Sequence, residues 1–319
     1  MDRIVDIATD GLHLSAHRGF LIVSQDRAEP KAREEMGRVA LDDVHALIIH
    51  AHGVTWTTNL VVTLAERGAI MVLCGANHSP VALMTPIDGH HAQGGRMRAQ
   101  WACGEPLRKQ LWRQIATAKI LMQASLLDSL GAPESEPLKF MARRVRSGDP
   151  DNLEAQAARR YWPALMGPDF RRDRDADGAN ALLNYGYAVM RATVARAVIG
   201  AGLHPSIGLH HKSGVNSFAL ADDLVEPFRP LVDAVVRHMV NEGIKAVTPE
   251  TKKPLAHLIG ADVRLEDALS PVSVAAQRLA VSLAKSFESG KPALALFDTP
   301  DPLAWTGIAA GFGNAARAN

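Results

Sequence analysis

The order of apolar and polar positions divides the chain into a β-rich first part and a helical remainder. Before about residue 88, apolar runs of strand length alternate with turn residues, whereas beyond about residue 105 apolar residues recur every three or four positions. We therefore predict an α+β fold. It consists of a small β-rich domain over 1–88, a connector over 89–104, a larger all-α domain over 105–290 and a C-terminal tail over 291–319.

In the first part, β-branched and apolar runs predict strands separated by turn signals. A helix is expected from Thr57 or Thr58 to Arg67, because either threonine can cap it and Gly68 can end it. The turn that follows the strand over 69–74 is expected over 75–80. The predicted strands span 4–7, 12–14, 20–23, 43–50, 69–74 and 81–85.

In the second part, the helical period predicts six helices. The segment 89–104 is rich in glycine and is interpreted as a connector or hinge. The segment beyond residue 292 is weakly patterned and predicts a tail. The six helices are expected over 107–130, 134–147, 152–163, 178–201, 222–242 and 270–288.

Composition narrows the class of protein. The chain has 319 residues, of which 47% are hydrophobic and 22% charged, which excludes a disordered, collagen-like or disulfide-scaffold protein. Its net charge of +1 argues against a coat protein that binds DNA by charge alone. The two cysteines fit no zinc or redox spacing, and no signal peptide or membrane-spanning run is recognisable. We therefore expect a cytoplasmic protein without membrane association.

Positive charge is concentrated in the middle third of the chain. Aspartates are interleaved there, so charge alone favours a solvated helical face with local salt bridges over a nucleic-acid surface. Arginine is nevertheless the residue that grips phosphate in a bidentate manner. The cluster consists of Lys139, Arg143, Arg144, Arg146, Arg159, Arg160, Arg171, Arg172 and Arg174.

Two segments place acidic and histidine residues in unusual settings. In the first, Glu154 falls in the first turn of a predicted helix, beside Arg159 and Arg160. The simpler interpretation is a capping box between Asp151 and Glu154. The alternative is a metal-binding carboxylate next to a phosphate-binding pair of arginines.

In the second segment, a loop rich in glycine and proline carries His210 and His211 and leads into a helix with Asp223 and Glu226. Helix capping and an ion pair between Glu226 and Arg229 explain these residues without function. The combination of Glu154, one of the two histidines and Glu226 also suits Mg²⁺ or Mn²⁺ better than Zn²⁺. A metal-dependent enzyme acting on polynucleotides accounts for both the acidic residues and the arginine cluster.

Four motifs then resemble those of the CRISPR-associated nuclease and integrase family of spacer acquisition. Residues 153–162 resemble its Glu-x-x-Ala-Ala-Arg-x-Tyr helix, and residues 181–191 its Leu-Asn-Tyr-Gly-Tyr-x-x-Leu-Arg signature. Residues 202–211 resemble the stretch that leads to its ligand histidine, and residues 221–230 its Asp-Leu-x-Glu-Pro-Phe-Arg motif. The paired histidines and the doubled aspartate resemble most the members that accompany type II systems.

The resemblance implies roles for individual residues. Glu154, His211 and Glu226 match the three catalytic metal ligands of the family. Asp223, His210, Tyr161 and Tyr185 are expected to support or orient that site. Residues expected to contact DNA are Arg143, Arg144, Arg146, Arg159, Arg160 and Arg229.

The resemblance also implies a reaction and partners. A 3′-hydroxyl of a captured DNA fragment would attack a phosphodiester of the CRISPR repeat, with Mg²⁺ or Mn²⁺ as cofactor. The expected partners are double-stranded DNA, a second copy bound through the β-rich domain, the small second adaptation protein and the effector nuclease of a type II system. Two alternatives stay open: a DNA-binding scaffold without catalysis, and a metal-dependent hydrolase of a small phosphoester.

Overall fold

The computed structural model describes residues 3–26, 34–75, 80–87, 89–211 and 215–310. The chain divides into two compact units, Met1–His91 and Ala92–Asn319. The first is β-rich and the second is mainly helical, so the predicted α+β class is confirmed. Within the described ranges, no helix combines the length and the apolar character that a membrane crossing requires.

The first unit is built on two four-stranded sheets. One has the order β1-β5-β7-β8, formed by β1 (Arg3–Ile7), β5 (Val44–Ile49), β7 (Ile70–Cys74) and β8 (Pro80–Met84). The other has the order β4-β3-β2-β6, formed by β2 (Leu12–His17), β3 (Phe20–Gln25), β4 (Glu35–Ala40) and β6 (Val54–Trp56). Apolar residues from both sheets and from helix α1 (Thr58–Glu66) form one core.

Local sequence signals account for most of this unit. Thr57 caps α1 by accepting a hydrogen bond from the backbone N–H of Leu60, and Gly68 follows the helix with φ +69°, as predicted. Strands β4 and β6 were not predicted, because β4 mixes charged and apolar residues and β6 has only three residues. The predicted turn over 75–80 lies largely outside the described residues.

The second unit packs ten helices, as far as the structure describes it. The two longest helices, α3 and α6, each carry more buried residues than any other helix, and α3 packs against α4, α5 and α8. The helices are α2 (Gln93–Ala102), α3 (Glu105–Ser129), α4 (Ser135–Arg144), α5 (Leu153–Met166), α6 (Ala179–Gly200), α7 (Ala219–Leu224), α8 (Arg229–Asn241), α9 (Pro249–His257), α10 (Val272–Ser289) and α11 (Pro302–Ala309).

The predicted connector over 89–104 is mostly helix α2. Gly94 and Gly95 fall in the first turn of this helix. Later in the helix, side chains form hydrogen bonds to the segment after α6. The buried side chain of Gln100 donates to the carbonyl oxygens of His204 and Ile207, and it accepts the backbone N–H of His204. These bonds tie α2 to the loop that leads to His211, which local sequence could not reveal.

Three further details of the second unit differ from the predicted elements. A hairpin of β9 (Asp262–Leu265) and β10 (Ala268–Pro271) precedes α10, and helix α9 was not expected. The helix predicted over 222–242 is broken by a 3₁₀ turn at Glu226–Phe228. Pro227 has no backbone N–H to donate to the preceding turn, and loss of that hydrogen bond favours a break here.

The predicted C-terminal tail is also wrong as far as residue 310. Asp301 caps α11, and Trp305 is buried with its indole N–H donating to the hydroxyl oxygen of Ser125 on α3. Further upstream, Gln114 of α3 bonds to the backbone of Pro292 and Leu294. These contacts join residues that are far apart in the chain. The segment 292–300 is held by them and not by a helix, so its sequence has no helical period that could have predicted its position.

Close packing at Gly186 of α6 gives a first testable prediction. A Cβ atom there would collide with a methyl group of Val232 on α8, whereas one at Gly200 of the same helix would meet nothing within 4 Å. Overpacking in Gly186→Ala should cost about 1–3 kcal/mol of unfolding free energy. Gly200→Ala should be neutral or slightly stabilising. Denaturant unfolding of the two variants tests this, and equal midpoints would contradict it.

Candidate active site

Glu154 is positioned by the start of helix α5. Asp149, with φ +48°, accepts the backbone N–H groups of Leu153 and Glu154, each at 2.9 Å. The predicted capping box with Asp151 is wrong, because Asp151 instead accepts three hydrogen bonds from the guanidinium group of Arg146. Glu154 thus lies in the first turn, where the helix dipole favours a carboxylate.

Glu226 is positioned by the 3₁₀ turn between α7 and α8. Its side chain is buried, and Arg229 Nε donates to its Oε1 at 2.9 Å. Burial alone would raise the pKa of this carboxyl group. The charges of Arg229 and Lys119 outweigh burial and lower the pKa to about 2, so the group is ionised.

Lys119 of helix α3 joins the two glutamates. Its ammonium contacts Oε1 of Glu154 and lies 2.5 Å from Oε2 of Glu226, while only 10% of its side chain is exposed. Burial acts to lower the pKa of Lys119, but the charges of Glu226 and Glu154 outweigh it and leave the pKa raised. The ammonium is therefore charged and balances the two carboxylates.

His211 is held by a fully buried carboxylate, Asp223. This group accepts the backbone N–H groups of Leu209, His210 and His211, and it lies 2.6 Å from Nδ1 of the His211 ring. The hydrogen bond to Asp223 raises the pKa of His211 against the opposing effect of burial. Asp223 thus fixes both the loop and the ring, and its role as a supporting acid of a metal site stays a prediction.

The loop passes so close to Asp223 that Gly208 has no room for a side chain. A Cβ atom at Gly208 would lie 2.6 Å from the carbonyl oxygen of His211 and 2.9 Å from Oδ2 of Asp223. His210, in turn, stacks on the buried indole of Trp112, with ring centroids 4.2 Å apart. The two neighbouring histidines therefore have different environments, and His211 is the one oriented by an acid.

A second buried acid connects the helices that carry the glutamates. Asp233 of α8 accepts the hydroxyl groups of Tyr161 on α5, at 2.8 Å, and Tyr187 on α6. Arg229 lies over the Tyr187 ring at 4.5 Å from its centroid. Tyr161 follows Glu154 by two helical turns, so Asp233 fixes α5 against the segment that carries Glu226.

The remaining predicted residues lie at several places in the second unit. Tyr185 is buried in α6 with Lys252 over its ring, and Arg159 and Arg160 are exposed on α5. Arg229, predicted to contact DNA, is largely buried and is bonded to Glu226. Arg143, Arg144 and Arg146 line a cavity of about 600 Å³ together with Arg113, Val145, Ser147 and Asp151.

The donor set fits Mg²⁺ or Mn²⁺, because two carboxylates and one imidazole converge on one region. Oε2 of Glu226 is buried and accepts no aligned hydrogen bond from the described residues, and Nε2 of His211 has no bonding partner among them. The three side chains do not stand at metal-ligand spacing, nor does any other group of three such residues in the described ranges. Lys119 stands between the two carboxylates instead.

Sequence reasoning missed Lys119, Asp149, Tyr187 and Asp233. Two of them interrupt apolar patterns that it used. Lys119 follows Ile115 by four residues on the buried face of α3, and Asp233 stands alone in an apolar run of α8. A charged residue at a core position is rarely buried without a partner, which is the signal that could have identified both.

Comparison with known proteins decides the family. The family model described as CRISPR associated protein Cas1 matches residues 5–253. This chain belongs to the Cas1 family. A CRISPR-associated endonuclease Cas1 of Neisseria meningitidis is 39% identical over 260 residues, which cover 81% of this chain and 83% of that protein. A Cas1 endonuclease of Pyrobaculum aerophilum is 28% identical over 74% of this chain and 82% of its own length.

Solved structures share the fold. A casposase bound to integration product matches with a TM-score of 0.76 and 20% identity, covering 92% of both chains. A Cas1 protein from Thermotoga maritima matches with a TM-score of 0.65 and 15% identity, covering 93% of this chain and 100% of that one. The resemblance of the four sequence motifs to this family is therefore confirmed, whereas the type II subtype remains a prediction.

The Asp233 network makes stability depend on pH. Burial raises the pKa of Asp233 to about 6, despite the opposing hydrogen bonds from Tyr187 and Tyr161. Between about pH 4 and 6 the folded protein then binds more protons than the unfolded chain, so this group lowers the free energy of unfolding as pH rises. The contribution is on the order of 3 kcal/mol.

Asp233→Asn should remove that contribution, because asparagine does not ionise. Denaturant unfolding of both proteins from pH 4 to 7 measures the difference in unfolding free energy. The difference in unfolding free energy between the two proteins should change between about pH 4 and 6 and stay constant above pH 6. Asp262→Asn, which alters an exposed aspartate of the same unit, serves as the control. Parallel pH profiles for the original protein and Asp233→Asn would contradict the prediction.

Proposed function

We propose that this Cas1-family chain is a metal-dependent DNA endonuclease and integrase that inserts short foreign DNA fragments into a CRISPR array. The observation that carries the proposal is the convergence of Glu154 and Glu226 on one buried cation. The oriented ring of His211 supports it further. The named relatives are described as CRISPR-associated endonucleases, and one structural relative is a casposase bound to integration product.

In the proposed reaction, the 3′-hydroxyl of the incoming fragment loses its proton to water, and its oxygen forms a bond to phosphorus in the repeat. The bond from phosphorus to the leaving 3′-oxygen breaks and that oxygen takes up a proton from water, so one phosphodiester replaces another and no ATP is required. Glu154, His211 and Glu226 would hold Mg²⁺ or Mn²⁺, which when bound polarises the phosphate and stabilises developing negative charge. Asp223 holds Nδ1 of His211 in a hydrogen bond, so Nε2, on the other side of the ring, points away from Asp223.

The proposed partners follow from the same comparison. Solved complexes described as Cas6-RT-Cas1–Cas2 match 93% of this chain, so we propose a Cas2 protein as one partner. Double-stranded DNA and a second copy of this chain bound through the first unit complete the proposed assembly. An effector nuclease remains a proposed partner only if the system is of type II.

The variants Glu154→Gln and Glu226→Gln should lose activity by more than about 100-fold, because each replaces a proposed metal-binding carboxyl group with a neutral amide. The assay follows strand release from a branched DNA that mimics a half-integrated fragment, with Mn²⁺, with Mg²⁺ and with EDTA. Glu136→Gln, at an exposed glutamate paired with Lys139, is the matched control. Circular dichroism and thermal melts verify that each variant is folded.

Normal strand release by Glu226→Gln would refute the assigned site. Inactivity of the folded original protein, both alone and with its Cas2 partner, would favour the non-catalytic scaffold. Inhibition by unrelated duplex DNA separates DNA chemistry from hydrolysis of a small phosphoester, since a small-substrate enzyme would not respond to it.

The arginine-lined cavity gives a separate prediction about DNA affinity. Among the described residues, Arg143 and Arg144 form no ion pair, so both guanidinium groups can bind phosphate. Replacing both with alanine should weaken duplex binding, and the slope of log K against log salt should shrink by about 0.9 for each phosphate that the variant no longer neutralises. Fluorescence anisotropy over a series of salt concentrations measures both quantities.

Arg278→Ala is the matched control, because this exposed arginine pairs with Glu266 on another part of the unit. It should leave DNA affinity nearly unchanged. An unaltered salt slope in the double variant Arg143→Ala/Arg144→Ala would show that these residues do not contact DNA phosphates.

A further inference from the structure

Lys119 contacts the same carboxylate oxygens that a metal ion would need. Its ammonium meets Oε1 of Glu154 and Oε2 of Glu226, whereas Arg229 bonds to the other oxygen of Glu226. Oε2 of Glu226 thus has Lys119 as its cation, and Oε1 has Arg229. The two positive groups do not duplicate one another.

The position of Lys119 is built into the fold. It lies on the buried face of α3, between Ile115 and Met122, and its side chain is nine-tenths buried. An ammonium group in such a place needs ionic partners to offset its loss of hydration. Two glutamates from two other segments provide them, so the contact is not an incidental surface ion pair.

We propose that Lys119 is a resident counterion of the active site, which a divalent cation displaces from the two carboxylates when it binds. This inference rests on the proposed metal site. A second cation at the same pair of oxygen atoms is repelled by the first, so Lys119 and a divalent ion compete for the two carboxylates. Lys119 is therefore a positioning residue: it holds the glutamates together in the metal-free protein and sets the affinity of the site for the metal.

The lysine side chain suits this exchange. Its four-carbon stem packs in the core, while rotation near its end moves the ammonium without moving the helix. Arg229 remains on Glu226 during the exchange, because it bonds to a different oxygen. The exchange therefore replaces the ammonium of Lys119 with a divalent cation and leaves the other ion pair of Glu226 in place.

The test compares Lys119→Met with Lys109→Met in the full-length chain without DNA. Lys109 lies on the same helix and forms an exposed ion pair with Glu105. Isothermal titration with MnCl₂ measures affinity, and thermal melts with and without Mn²⁺ measure stability. Lys119→Met should bind Mn²⁺ on the order of tenfold more tightly than the original protein. Its metal-free form should melt at a lower temperature and gain more on addition of Mn²⁺, while Lys109→Met should match the original protein in all three respects.

Equal or weaker Mn²⁺ binding by folded Lys119→Met would overturn the proposal, even if the metal-free form is less stable. Lys119→Gln removes the charge but keeps a polar side chain, and it serves if Lys119→Met does not fold. It should likewise bind Mn²⁺ more tightly than the original protein, and an equal or lower affinity would overturn the proposal.

Glu226→Gln separates this inference from the proposed function. If Mn²⁺ binds the original protein and Glu226→Gln abolishes binding, the metal site stands whatever the result for Lys119. If Mn²⁺ binds neither the original protein nor Lys119→Met, the metal site fails and the inference fails with it.

Discussion

The arrangement of the second unit depends on burying two carboxylates without leaving them unbalanced. Lys119 and Arg229 provide two positive charges for Glu154 and Glu226, and all four groups lie mostly out of solvent. Removing one partner from a buried ion pair typically costs about 3–5 kcal/mol, because the other charge is left uncompensated. Helices α3 and α5 and the turn at residue 226 must therefore meet with little freedom.

Buried aspartates fix the backbone around this cluster. Asp149 accepts the first N–H groups of α5, and Asp223 accepts three consecutive N–H groups of the loop that carries His211. An acid that accepts backbone N–H groups stabilises one loop conformation and no other. Glu154 and His211 thus depend on neighbouring acids for their positions.

Local sequence patterns predicted the features of the fold that depend on neighbouring residues in the chain. The α+β order, the cap at Thr57, most helices and the candidates Glu154, His211 and Glu226 follow from periodicity, capping chemistry and motif resemblance. The helix in the segment 89–104 and the packing of Trp305 depend on bonds between residues far apart in the chain, as with Gln100 and Ser125. The helix cap at Asp149 was not predicted, because Asp149 adopts a left-handed backbone conformation that no local sequence signal indicates.

The proposed metal site would also explain how a nearly neutral chain acts on a polyanion such as DNA. With Lys119 and Arg229 opposite two glutamates, the cluster has little net charge to attract a phosphodiester. Binding of a divalent cation would make it positive, so the attraction for phosphate and the capacity for chemistry would arise together. The exposed arginines at 143 and 144 are not part of this cluster, so in the proposed function they would bind DNA phosphates independently of the metal. The proposal thus assigns affinity for DNA and activation of one phosphate to different groups, and each could change without the other.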